Sequence, residues 1–276
     1  MSGTEIHVIG KSPDGLCEDG VVNTDAYVAV IDGATSKSNM RYGGLRGGRA
    51  AMLWVSQLIA SMPADYALNE AVNYLTAGIW HRYEQLGVVE RVSADATARL
   101  TCSVVIYSRM RRQVWMIGDC QFRYEGCTHT NEKPADRILA GIRADVLRAA
   151  LLRGNTVDSL RRNDVGRACI LDALCLQCQF QNAPEYNPYS FVVLDGFPID
   201  VSRVPVYVLP PATDVPLILA SDGYPELCDT FEATELRLRR MLHADPLCME
   251  KYVATKGWME GYSSFDDRTY VRFYPG

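Results

Sequence analysis

Four acids in this chain stand where a short apolar run meets a turn. Val28-Ala29-Val30-Ile31 runs into Asp32-Gly33, and Val114-Trp115-Met116-Ile117 runs into Gly118-Asp119. Pro216-Leu217-Ile218-Leu219-Ala220 runs into Ser221-Asp222-Gly223, and Phe265-Asp266-Asp267-Arg268-Thr269 opens a last run, Tyr270 to Tyr274. A strand such as Val28 to Ile31 is buried on both faces, so an ionised carboxylate at its tip needs a partner charge or a metal. The following glycine lets the backbone turn sharply and brings its own carbonyl toward whatever the carboxylate holds. Upstream, Cys17-Glu18-Asp19-Gly20 adds two adjacent acids, with Asp25 as a competitor better suited to a turn. Each feature alone is weak. Together they are the arrangement expected of a carboxylate-lined cation site, and all-oxygen donors without His or Cys select hard, octahedral cations.

The elements that must position these acids follow from periodicity and punctuation. Ile6 to Ile9 reads as a first strand, followed by a turn at Lys11-Ser12-Pro13-Asp14-Gly15. Helices are expected over 48–61 and 64–86, the second carrying a stripe of Leu68, Val72, Leu75, Ile79 and Tyr83. His81 on it reads as a surface or packing residue. Ala98 to Ser108 and Gln113 to Ile117 predict a β-hairpin around a solvated basic turn, Arg109 to Arg112. Gln121 to Tyr124 is expected to continue the same sheet. Helices are predicted over 135–153 and 157–178, an irregular loop over 179–189, and strands at 190–194, 206–209 and 215–220. Asp195-Gly196 reads as a hairpin turn. A helix over 233–242 and a partly helical 249–261 precede the last strand. With strands at both ends and helices between and after, the pattern predicts an α+β sandwich, read as a single domain over 1–276.

Composition narrows the function classes. The chain has 276 residues, 48% hydrophobic, enough for a sizeable core, and a net charge of −5 with the two signs mixed. No basic footprint for nucleic acid is present. No apolar run approaches the roughly 20 residues that span a bilayer, and Met1 to Gly10 does not read as a signal peptide. Nine cysteines are scattered singly apart from Cys175-x-x-Cys178. That pair has neither a second CxxC nor a histidine pair near it, so two buried thiols on a core helix are expected. Free thiols without an export signal suit the cytoplasm. The glycines between Ala34 and Gly48 are not followed by Gly-Lys-Ser/Thr, so they form no P-loop. Cys17 is followed by no C-x₅-R loop that would make it a phosphate-attacking thiol.

The ordered set Glu18-Asp19, Asp32-Gly33, Gly118-Asp119, Ser221-Asp222-Gly223 and Asp266-Asp267-x-Thr269 resembles the PPM family, the metal-dependent (type 2C) serine/threonine protein phosphatases. The family pattern is Asn-Glu-Asp, a strand ending in Asp-Gly, Gly-Asp-Ser-Arg, Ser-Asp-Gly, and a terminal Asp-Asp/Asn-x-Thr. Thr101 to Val105 and Lys133-Pro134 to Gly141 echo further family segments, so the resemblance covers nearly the whole chain. It implies a four-layer α/β/β/α sandwich with the metal site at one end of the central β-sandwich. Asp32 would bridge two Mg²⁺ or Mn²⁺ ions. Asp222 and Asp266 would complete one ion's shell, and Glu18 and the Gly33 carbonyl would serve the other. Asp19 would orient waters, and Asp119 would hold a looser third ion seen in some members. Two such ions clamp a phosphoryl oxygen and lower the pKa of a water for in-line attack, so no protein nucleophile is required.

The chain departs from the pattern in three places. Many members have His after Asp-Gly, where this chain has Ala34; the turn after Asp119 reads Cys120-Gln121; and no Arg precedes the Glu-Asp pair. Lys11 is the only Lys or Arg before that pair, and would meet phosphate as a point charge instead of a bidentate fork. The leading expectation is hydrolysis of phosphoserine or phosphothreonine in proteins, the products of a cognate kinase. Its competitors are a regulatory or scaffold protein that has lost turnover, and a phosphatase of small phospho-metabolites.

Overall fold

The computed structural model describes residues 3–14, 16–183, 187–211 and 214–275. Ten strands form two antiparallel sheets. In one, β1 (Glu5–Ile9), β10 (Arg268–Phe273), β9 (Leu217–Ala220), β6 (Gln121–Tyr124) and β7 (Cys127–His129) lie side by side in that order. In the other the order is β2 (Asp19–Asn23), β3 (Tyr27–Gly33), β4 (Cys102–Ser108), β5 (Gln113–Ile117) and β8 (Val206–Val208). Helices α1 (Gly47–Ser61) and α2 (Leu68–Gln85) cover the second sheet, and α8 (Phe231–Ala244) covers the first.

Strand alternation builds the layers. Val28 and Val30 of β3, Val105 of β4, and Leu217 and Leu219 of β9 point into the core between the sheets. Their neighbours Ala29, Ile31, Val104 and Ile106 pack beneath α1 and α2, while Ile218 and Ala220 pack beneath α8. Both faces of the central strands are therefore covered, which is why their sequences are continuously apolar. The result is the expected α+β fold with layers α/β/β/α. Each acid-bearing turn lies where one of these buried strands starts or ends.

Several local expectations are corrected. Gln121 to Tyr124 does not extend the β4–β5 sheet; the chain crosses to the other sheet at Gly118-Asp119-Cys120, with Gly118 at φ +92°. The helix predicted over 157–178 is broken into α5 (Val157–Arg162), α6 (Val165–Cys169), α7 (Leu171–Leu176) and a 3₁₀ turn at Gln177–Phe180. Asp164 causes one break, since its carboxylate accepts from the Arg167 backbone N–H at 2.7 Å and caps a new helix. Ser190 to Leu194 is apolar and largely buried but makes only isolated bridges, through Phe191 to Gln181 and Leu194 to Cys102. Asp195-Gly196 is accordingly no hairpin turn; Asp195 is fully buried and ion-paired to Arg99 at 3.4 Å. The segment 249–261 contains no helix, its start being held by the Asp245 carboxylate, which accepts from the backbone N–H groups of Met249, Glu250 and Lys251.

Further differences are smaller. The strand expected from Ala98 starts at Cys102, after α3 (Val89–Ala94) and a 3₁₀ turn at Ala96–Ala98. The basic turn faces solvent as expected, with Met110 and Arg111 exposed, while its guanidiniums also hold backbone: Arg109 donates to the Thr24 carbonyl, Arg111 to those of Asp65 and Tyr66, and Arg112 to that of Pro210. Cys175 is half-buried and Cys178 buried, and all nine cysteines are free. Part of the expected turn, Gly15, and part of the 179–189 loop, residues 184–186, lie outside the described residues. Among the described residues no helix is long and apolar enough to cross a membrane.

Candidate active site

The strand ends meet at one cavity of about 540 Å³, whose lining includes Asp32, Gly33, Asp119, Asp222, Asp266 and Lys11. Asp32 ends β3, Asp222 and Asp266 stand in the segments just after β9 and just before β10, and Asp119 lies in the crossing between β5 and β6. β2 pairs with β3 so that Asp19 lies opposite Asp32, which puts both side chains on the same side of the sheet. β9 and β10 bring Ser221 against Thr269, the Thr269 N–H donating to Ser221 Oγ at 2.9 Å. The two hydroxyls then donate to Asp19 Oδ2 at 2.6 and 2.9 Å and fix that buried carboxylate. Burial nevertheless raises its pKa to about 7, against the pull of those hydroxyls.

Asp32 and Asp222, like Asp19, make no ion pair among the described residues. Each is raised well above the ordinary carboxyl value, chiefly by burial and then by neighbouring acids: Asp19 and Asp266 for Asp32, Asp32 and Asp119 for Asp222. Asp222 Oδ1 is sealed from solvent with no hydrogen-bond partner. Asp119 and Asp266 differ. Burial opposes their ionisation too, but Lys133 outweighs it at Asp119, and Lys256 and Lys11 outweigh it at Asp266, so both stay below the usual range. Lys133 Nζ lies 2.6 Å from Asp119, which also accepts from Ser103. Lys11 Nζ lies 2.8 Å from Asp266 and 3.5 Å from Asp267, and Lys256 also contacts Asp266. Ammonium groups thus neutralise Asp119 and Asp266, and among the described residues no group of three or more His, Cys, Asp or Glu is placed to hold a metal ion.

A second set of oxygens surrounds the start of α1. A Cβ on Gly48 would come within 2.6 Å of Glu18 Oε1, 2.6 Å of the Gly33 carbonyl oxygen and 2.7 Å of that of Ala34. These oxygens therefore crowd one point, and they can do so only because residue 48 has no side chain. Glu18 Oε1 is buried without a donor, while Oε2 accepts from Thr35 Oγ1 at 2.7 Å. Gly33 is forced by the same packing, since any side chain there would strike the Gly48 carbonyl.

The structure thus brings Lys11, Glu18, Asp19, Asp32, Gly33, Asp119, Asp222 and Asp266 to one region, and leaves Asp25 exposed outside the cavity lining. Sequence reasoning missed Lys133, Lys256 and Asp267. Asp267 accepts from the Lys11 and Glu18 backbone N–H groups at 2.8 and 3.1 Å and ties the two segments together. It also missed Arg143, fully buried, which donates to Asp164 and to the Leu247, Cys248 and Ala254 carbonyls. That network joins α4 (Pro134–Leu152) to α6 and to the 247–254 segment.

No protein-family model matches the chain, and no curated protein does. Among solved structures it is similar to the PPM Ser-Thr phosphatase MsPP from Mycobacterium smegmatis in complex with cacodylate, at 15% identity, covering 98% of this chain and 97% of that one with a TM-score of 0.44. The catalytic domain of the serine/threonine protein phosphatase PstP in complex with two manganese ions gives 13%, 98%, 96% and 0.44. PppA, a key regulatory component of T6SS in Pseudomonas aeruginosa, gives 13%, 98%, 96% and 0.47. These values describe a distant likeness in fold.

Proposed function

We infer that this protein is a metal-dependent phosphatase of phosphomonoesters, acting on phosphoserine or phosphothreonine in proteins. The observation that carries the inference is the pair of buried carboxylate oxygens without any donor, Asp222 Oδ1 and Glu18 Oε1. Each lies in a set of oxygens that no side-chain cation meets among the described residues: Asp32 and Asp222 on one side, Glu18, Gly33 and Ala34 on the other. An orphaned buried carboxylate oxygen costs several kcal/mol unless something positive meets it. The donors are all oxygen, which fits Mg²⁺ or Mn²⁺ and fits zinc or copper poorly.

Asp32 and Asp222 would hold one ion, with Asp266 reaching it only once Lys11 and Lys256 release that carboxylate; Asp32, Glu18 and the Gly33 carbonyl would hold a second, and Asp119 a third. Such ions supply Lewis-acid polarisation of the phosphoryl oxygens and an activated water. The chain's own part is positional. Ser221 and Thr269 lock the Asp19 carboxylate, which would accept hydrogen bonds from water at the site. Asp267 fixes Glu18 through its backbone. Lys11, ion-paired to Asp266 and Asp267, would meet a phosphoryl oxygen. The cytosol is the proposed compartment, from nine free thiols.

One observation favours a second reading, a regulatory protein without turnover. Lys11 and Lys256 both neutralise Asp266, leaving that acid less available to an ion. Phosphate release from phosphoserine and phosphothreonine peptides, with Mn²⁺ or with EDTA, separates the two. Metal-dependent release supports the enzyme; none under either condition, with the fold intact, supports the regulator.

A further inference from the structure

Seven cationic side chains line the cavity. Five have a carboxylate partner within ion-pair distance, Lys11, Lys133 and Lys256 among them. Lys37 and Arg167 have none among the described residues. Lys37 Nζ donates to the Thr35 carbonyl at 3.1 Å, and Arg167 Nη1 donates to that of Thr255 at 2.9 Å. Both are half-buried and line the cavity.

We propose that Lys37 and Arg167 form an anion subsite beside the carboxylate cluster, taking an acidic group that a phosphopeptide carries close to the phosphate being hydrolysed. Two like charges left without a counter-ion in a partly desolvated wall are unfavourable until an oxyanion lies between them. Lys37 records this: burial, then the Arg167 and Lys256 charges, lower its pKa to about 8. An anion reverses that penalty, and the Arg167 guanidinium supplies the planar fork that suits carboxylate or phosphate.

The position favours a flanking group over the reacting phosphate. Lys37 and Arg167 line the same cavity as Asp32, Asp119 and Asp222 but contact none of them, their side chains resting on the Thr35 and Thr255 carbonyls. Arg167 stands on α6, in the helical wall, bonded to the Thr255 segment. A cavity of about 540 Å³ has room for more than one substrate group. The subsite rests on the phosphatase reading for its substrate, while its affinity for acidic groups stands on the two unpaired cations alone.

The test compares two phosphopeptides that differ only in acidic or neutral flanking residues, on wild type, Lys37→Ala, Arg167→Ala and Lys37→Glu. Wild type is expected to favour the acidic peptide in kcat/KM by about tenfold, the size of one charge-assisted hydrogen bond. The alanine variants should lose most of that preference through KM, with p-nitrophenyl phosphate losing far less. Lys37→Glu, folded by circular dichroism, should invert the preference toward basic flanks. An equal loss on p-nitrophenyl phosphate would overturn the proposal, because the pair would then hold the reacting phosphate; so would an intact preference in all variants. Anisotropy of a labelled acidic peptide without phosphate, in EDTA, separates this from failure of the phosphatase reading. If wild type turns nothing over, tighter binding by wild type than by Lys37→Glu still supports the subsite, and equal binding overturns it.

Discussion

Asp222→Asn should make the metal-free protein more stable while removing its response to metal. Asp222 Oδ1 is sealed from water with no donor, and its pKa is raised by burial and by the Asp32 charge beside it. An unsatisfied buried polar group costs about 1–3 kcal/mol, and a charged one more. An amide is neutral and brings a donor that Asp32 can accept, so a gain of about 1–3 kcal/mol is expected in EDTA at neutral pH. For a chain of this length each kcal/mol shifts Tm by roughly 2–4 °C. The sign with pH follows from linkage. A carboxyl whose folded pKa is raised binds its proton more tightly in the folded state, so its stabilising contribution is full at low pH. That contribution is lost as pH rises from the ordinary carboxyl value through the raised one. The stability gap between variant and wild type should therefore widen with pH over that window. Urea titrations in EDTA across pH, then with Mn²⁺, measure both effects. Wild type should gain about 2.7 kcal/mol at a hundredfold excess over Kd, and the variant little of it. A variant less stable than wild type in EDTA would refute the reasoning, because the carboxylate would then be a structural acceptor and not a vacant ligand.

Gly48→Ala tests the oxygen cradle. Helix propensity alone would stabilise α1 by about 1 kcal/mol, whereas overlap with Glu18 Oε1 and two carbonyls should cost about 1–3; a denaturation midpoint above wild type would remove the cradle. Lys133→Met should destabilise by about 2–3 kcal/mol by leaving Asp119 without its cation, near the low end for a buried pair because both side chains keep some exposure. Adding Asp119→Asn should recover most of that loss in the same unfolding assay, and purely additive losses would mean the pair is not coupled.

Much of the site was legible because its acids adjoin strands that are covered on both faces. Val28 to Ile31 and Leu217 to Ala220 are continuously apolar since alternate residues serve two cores, so the acid after each run stands out. The sheet crossing at Gly118-Asp119-Cys120 was not legible, because local periodicity is the same whichever sheet the next strand joins. The short strand β2 was hidden by its Asp-Gly start, and α3 and β7 by their length. The 157–178 segment keeps helical spacing overall, but the Asp164 cap interrupts it through one side chain. Lys133 and Lys256 were invisible as partners since their pairing with Asp119 and Asp266 is made through space. Ser190 to Leu194 was misread because burial alone, without a ladder, gives the same composition as a strand.

The central claim is that these acids hold catalytic divalent ions, and hydrolysis of p-nitrophenyl phosphate tests it most directly. Purified wild type and Asp32→Ala would be assayed side by side with EDTA, Mg²⁺ or Mn²⁺. Wild type should turn over with Mg²⁺ or Mn²⁺ and not with EDTA, and a folded Asp32→Ala should turn over under no condition. Turnover in EDTA, or undiminished turnover by Asp32→Ala, would contradict the claim.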